Sequence, residues 1–209
     1  MNISMSGILH MIGQALLNPC LIVLILLMVA TVWQVGDLLM EYLTERRKFK
    51  VDAPVLLRNI PGKTEEELAA LIEESGLLPR QKKLLNTLLE AREMPKASLV
   101  ALAQQLVAQE EERLEKYTAV TDLIARLGPM FGLLGTLIPL GPGIVALGQG
   151  DTQTLAESLG VAFDTTIAGV ISAAVSCVIS NIRKRWYNEY ITLLESTMEC
   201  ILEEMEKSC

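Results

Sequence analysis

Charged residues are missing from three long parts of the chain, and this pattern predicts most of its architecture. No Asp, Glu, Lys or Arg occurs before Asp37, none between Leu127 and Gly150, and none between Thr165 and Ile182. Each stretch reaches the ~18 residues that carry a helix across a ~30 Å hydrocarbon layer. The expectation is an all-α integral membrane protein with three transmembrane helices: a first span over 19–43, and a hairpin over 126–183 made of the second and third spans. Gly148-Gln-Gly-Asp-Thr-Gln-Thr154 has the glycines and polar side chains of a tight turn centred near Asp151, and Thr154-Leu-Ala-Glu157 reads as a capping box for the third span. Pro139 and Gly141-Pro-Gly143 predict a kink or break in the outer half of the second span.

Outside these runs the apolar positions recur at helical spacing and no strand signal is present. Residues 44–125 read as a helical region. Thr64-Glu-Glu-Glu67 caps a short helix carrying Leu68, Leu71 and Ile72, and Gln81–Arg92 places Leu84, Leu85, Leu88 and Leu89 on one side before Met94-Pro95 breaks the chain. From Ala97 onward Leu99, Leu102, Leu106, Leu114, Tyr117, Val120 and Ile124 keep the spacing straight into the second span. Beyond the third span, Tyr190, Ile191, Leu194, Met198 and Ile201 continue it over 184–209. The second and third spans therefore extend into a cytoplasmic helical bundle. Acidic runs such as Glu65–Glu67, Glu110–Glu112 and Glu203-Glu204 read as solvated faces. At the other end, 1–18 is expected to be an external amphipathic segment, with a short helix over Ser6–Leu17 ending at Asn18-Pro19 and an incidental lone His10.

All eighteen basic residues lie between Arg46 and Arg126 or between Arg183 and Lys207, and the N-terminal tail and the hairpin turn have none. The positive-inside bias then puts the N-terminus outside and the C-terminus in the cytoplasm, with Trp186 as an interfacial aromatic and Trp33 read either as a second one or as a packed core residue. A net charge of −7 disfavours nucleic acid as a partner, which would call for a basic face. The four cysteines have no metal-type spacing, and no nucleophile–base pairing or phosphate-cradling glycine loop is present, so neither an enzyme, a metal site nor a cofactor is expected.

Two threonines carry the remaining signal. Thr136 and Thr166 lie fifteen positions before and after Asp151, which in an antiparallel pair puts both hydroxyls at one level, roughly 15–20 Å into the membrane. Gly132-Leu-Leu-Gly-Thr136 surrounds the first and Thr165-Thr-Ile-Ala-Gly169 the second; Gly132, Gly135 and Gly169 are helix-packing residues that let another helix come close. Asp164 is an acid within a span, read either as ion-handling or as a solvated or subunit-packing carboxylate, and it lies some 200° around the helix from Thr166.

These motifs, in this order, resemble the MotA/TolQ/ExbB family, whose second helix reads G-L-x-G-T and whose third carries A-T-x-x-G; the layout is closer to TolQ and ExbB than to four-span MotA. The chain departs from the family in having Pro139 where a glycine is usual, and Val161 where proton-type members often place a Glu. The resemblance implies an ion-conducting, proton-type motor subunit of the inner membrane: a homo-pentamer around a dimer of single-span MotB/TolR/ExbD-like subunits, converting an ion gradient into mechanical work. It implies that Thr136 and Thr166, with Thr165 and Asp164 beside them, form the ion pathway and meet a carboxylate brought by the partner. The competing expectation is a passive membrane scaffold that assembles other proteins through its cytoplasmic helices.

Overall fold

A computed structural model of the chain describes residues 11–46 and 53–207. The elements are α1 (Leu17–Glu41), a π-helical turn Tyr42–Arg46, α2 (Ala53–Arg58), α3 (Glu65–Glu74), α4 (Pro79–Glu90), α5 (Lys96–Gly148) and α6 (Thr152–Lys207). No strand occurs among the described residues. Three helices, Met11–Thr44, Lys96–Gly148 and Thr152–Glu206, are long and apolar enough to cross a bilayer. The protein is an all-α membrane protein whose second and third long helices each run on well past a membrane's thickness: α5 has 53 residues and α6 has 56, about 80 Å at 1.5 Å per residue.

Three local expectations are corrected. Pro129, Pro139 and Pro142 all lie inside α5, which runs without a break. Pro139 deprives only the Gly135 carbonyl of its usual bond, and Pro142 only that of Ile138; membrane helices tolerate such losses where neighbouring groups satisfy the freed carbonyl. The helix before α1 does not end at Asn18-Pro19. Leu16 N–H bonds the Ile12 carbonyl at 3.1 Å and Cys20 N–H the Leu16 carbonyl at 3.0 Å, and Pro19 falls in the first turn of α1, where a missing N–H costs least. His10 and the start of that predicted segment lie outside the described residues, as do Lys48, Lys50 and Cys209. Finally, the third span is capped by Asp151 and not by Thr154: Asp151 Oδ1 accepts from the N–H groups of Gln153 (3.2 Å) and Thr154 (3.1 Å). An aspartate immediately before the helix outcompetes a threonine three residues further in, and Glu157 instead takes the Gln153 amide.

The chain divides into two compact units. One comprises the residues up to Asp37 with Ala119–Asn181; the other comprises Leu38–Thr118 with the residues from Ile182 on. The second unit has a true apolar core, in which Leu85, Leu88 and Ile201 are fully buried and Ile60, Leu194 and Met198 nearly so. Each such side chain contributes about 1.5–3 kcal/mol when removed from water. At the edge of this core Glu41 accepts from Arg183 Nε (3.0 Å) and from the Tyr187 hydroxyl (3.1 Å), and Tyr42 stacks on Trp186 with ring centroids 6.1 Å apart.

The acidic runs are not uniformly solvated. Glu110 is 2% exposed. Its carboxylate accepts from Arg80 Nε (2.7 Å to each oxygen), Arg113 (2.6 Å) and the Tyr190 hydroxyl (3.3 Å). Burial, and then the adjacent Glu110 charge, push the Tyr190 phenol well above its usual range. Glu204 is likewise buried and accepts from the Gly62 N–H at 2.7 Å.

Candidate functional site

The hairpin arms meet through glycines, and the approach is backbone to backbone. A Cβ placed on Gly169 would lie 2.5 Å from the Gly128 carbonyl oxygen and 2.9 Å from Gly132 Cα; one on Gly135 would lie 2.5 Å from Thr165 Cβ. No side chain fits at either point. The glycines around the two threonine motifs are thus occupied within the chain, holding its own two arms together.

Gly135 faces Thr165, and Gly143 faces Ser158. This pairing fixes where the threonines go. Thr136 and Thr166 each follow a facing position by one residue. In an antiparallel pair the residues that follow two facing positions turn about 100° toward the same side, so both threonines project onto one flank of the hairpin. Their heights differ by about 3 Å, two residue rises. Leu133 and Val170, which follow Gly132 and Gly169, share this flank and are 60% and 53% exposed. The first helix packs elsewhere: Cys20 Sγ donates to the carbonyl of Phe131, which precedes Gly132 and so belongs to the opposite flank.

Both hydroxyls are half-buried and donate within their own helix, Thr136 to the Leu133 carbonyl (2.7 Å) and Thr166 to the Ala162 carbonyl (2.9 Å). Such a hydroxyl keeps its acceptor lone pairs, and by rotating it can exchange the internal bond for one to an incoming carboxylate. Thr165 is placed differently. It is 4% exposed, seated on Gly135, with its hydroxyl shared between the Val161 and Ala162 carbonyls at 3.0 Å each. Its position in the crossing closes it to any outside group. Asp164 is exposed on the far side of α6 from Thr166. The four residues named from the sequence therefore do not converge; Thr136 and Thr166 share a flank, Thr165 holds the arms together, and Asp164 looks outward.

At the apex, Gly150 takes the left-handed conformation (φ +75°) that closes the turn, and hydrogen bonds from the Thr154 hydroxyl and N–H hold the Asp151 carboxyl below its ordinary range. Sequence reasoning missed a polar grouping deeper in the same unit, formed by Gln34, Thr121, Asp122, Ser176 and Ser180. Its visible trace is the fourfold spacing of Ser172, Ser176 and Ser180 in an otherwise apolar run. Among the described residues no cluster of His, Cys, Asp and Glu could hold a metal ion.

A family model described as the MotA/TolQ/ExbB proton channel family matches residues 77–196, more than half of the chain and all of the hairpin. No curated protein matches the chain.

Proposed function

Since the chain belongs to the MotA/TolQ/ExbB proton channel family, we propose that it is the ion-conducting subunit of a motor complex that converts a proton gradient into mechanical work. Five copies surround two single-span subunits of the MotB/TolR/ExbD kind in the inner membrane, with residues 19–43 and the two arms of the 126–183 hairpin embedded, the N-terminus and the hairpin turn (149–156) outside, and residues 44–125 and 184–209 in the cytoplasm. The observation that carries this reading is the open hairpin flank bearing Thr136 and Thr166. Two hydroxyls within about 3 Å of one level, on a flank away from the first helix's contact at Phe131, suit a ring facing a central partner helix. The partner supplies the carboxylate. Protonation of that carboxylate weakens its bond to the hydroxyls, and the change in preferred position turns the assembly by a step. The chain itself performs no covalent chemistry.

The test replaces both threonines in the assembled complex. Val keeps the shape of Thr and is more lipophilic, so insertion and assembly survive. Each lost hydroxyl removes about 0.5–1.5 kcal/mol of net interaction with the carboxylate, or about two- to tenfold in rate if that contact limits the step. The Thr136→Val, Thr166→Val double variant, co-reconstituted with its single-span partner in vesicles, is expected to show proton flux reduced severalfold to a hundredfold with normal assembly. Flux at the normal rate in an assembled double variant refutes the reading and leaves the passive scaffold in its place.

A further inference from the structure

The polar grouping beside the hairpin crossing lies between the arms and α1, away from Thr136 and Thr166; of its members Asp122, which follows Thr121, turns toward the threonine flank. Ser172, Ser176 and Ser180 recur every fourth residue on α6 and are 1%, 0% and 3% exposed. Ser176 donates to Gln34 Oε1 on α1 at 3.2 Å, and Ser180 donates to Asp122 Oδ1 on α5. Three helices of one subunit thus turn polar groups into a single seam.

Two atoms in this seam have no partner among the described residues: Gln34 Nε2 and Thr121 Oγ1. Gln34 is 8% exposed and Thr121 is 1% exposed. Turning the Gln34 amide over does not help, because the oxygen would then be the unpaired end. The Thr121 hydroxyl is the more telling. Thr31, Thr118, Thr136, Thr165 and Thr166 all donate to a carbonyl of their own helix, a bond equally within reach of Thr121, which does not make it. Buried polar groups in folded proteins are paired, with protein or with water, because leaving them unpaired is costly. By the arm pairing Thr121 is level with Ser180, one helical turn from Ser176, so the two unpaired groups sit about 6 Å apart in height, a gap that one or two water molecules span. Only a ligand that both donates and accepts satisfies an amide, three hydroxyls and a carboxylate together.

We propose that Gln34, Thr121, Asp122, Ser176 and Ser180 bound an internal water site in each subunit, and that this water forms the segment of the ion path on the side of the threonines away from the hairpin turn. In that segment the Asp122 carboxylate takes a proton from a hydronium ion in the seam and returns it to the next water, ending as it began. The relay rests on the proton-conducting function proposed above; the water site does not.

The experiment uses the full-length oligomer in deuterated-lipid bilayers and measures polarisation transfer from water protons to side chains by solid-state NMR. Transfer to the Gln34 amide and to Thr121 is expected on the timescale seen for exposed Gln149, and Thr121→Val is expected to reduce the Gln34 signal severalfold, with Thr121→Ser restoring it. A Gln34 amide and a Thr121 that receive no polarisation from water overturn the site. The relay is read separately, as proton flux in the vesicles described above. Thr121→Val and Asp122→Asn are expected to lower flux about tenfold with assembly intact. Normal flux in both, beside impaired flux in the Thr136→Val, Thr166→Val variant, overturns the relay alone, whereas normal flux in all three overturns the family mechanism for this chain.

Discussion

Adding one methyl group at Gly169 should separate the hairpin arms. The new Cβ would meet the Gly128 carbonyl oxygen at 2.5 Å and Gly132 Cα at 2.9 Å, where ordinary contact begins near 3.4 Å. The arms must part by about 0.9 Å, or α6 must roll. Both obstructing atoms are backbone, so no rotamer change relieves them. Forcing a methylene into a filled interface costs about 1–3 kcal/mol, while Ala returns up to ~1 kcal/mol in helix propensity over Gly. The net expectation for Gly169→Ala is a loss of about 0–2 kcal/mol. Gly160→Ala is the control, since it lies in the same helix with nothing within 4 Å of its would-be Cβ, and only the propensity gain applies. The difference between the two variants is then about 1–3 kcal/mol, readable as the shift in equilibrium unfolding in mixed micelles followed by near-ultraviolet circular dichroism. Equal stability of the two variants would refute a backbone-to-backbone crossing at Gly169.

Further expectations follow from other parts of the structure. At the Gly135–Thr165 contact the obstruction is a side chain, so Gly135→Ala should destabilise the hairpin and be largely rescued by Thr165→Ala, a coupling that a double-mutant cycle in the same assay measures directly. Glu110→Gln should lower stability by about 1–3 kcal/mol, less than for a fully buried pair because Arg80 and Arg113 are 52% and 36% exposed and can turn to water; Tyr190→Phe should cost about 0.5–1.5 kcal/mol, both read as thermal midpoints of the full chain. Asp151 has its folded value depressed by Thr154, so its contribution is present above the unfolded value near 3.8 and is lost as pH falls through the lower folded value. Hairpin stability should therefore decline below about pH 4, and Asp151→Asn should flatten that acid limb in a pH titration of unfolding. A single cysteine placed near Glu111 in a cysteine-free background should be labelled from the cytoplasmic side only; labelling from outside alone would reverse the proposed orientation.

The long elements were legible because each rests on an uninterrupted signal. Eighteen or more uncharged residues admit few structures, and the stripe from Leu99 to Ile124 carries α5 into the membrane with no stop signal on the way. What misled was local. The prolines at 139 and 142 read as breaks because each removes one hydrogen bond and crowds the carbonyl four residues back, whereas in a membrane any path other than the helical one leaves still more backbone groups unpaired. Glu110 read as a solvated acid because its run of three is all that sequence proximity offers; Arg80 reaches it from thirty residues away and Tyr190 from eighty. At the site, the motifs singled out Thr136 and Thr166 but not which neighbour turns inward. Thr165 is sequestered because Gly135 leaves a recess beneath it, a consequence of arm register that the spacing from Asp151 approximates only to within a residue or two. Gln34 and Thr121 carried no signal, since one amide and one hydroxyl in apolar surroundings are common and only their missing partners set them apart.

An unbroken α5 also limits how this chain can change length. Every residue of a helix fixes the angular phase of all that follow, so inserting one between Gly128 and Gly132 would swing Thr136 about 100° out of phase with Gly128, whose carbonyl meets Gly169 in the crossing. Seven inserted residues come within about 20° of two whole turns and restore the phase. Length variation among descendants of this sequence should accordingly collect in the loops between α2 and α5 and at the hairpin apex, and enter the two long helices only in steps near seven.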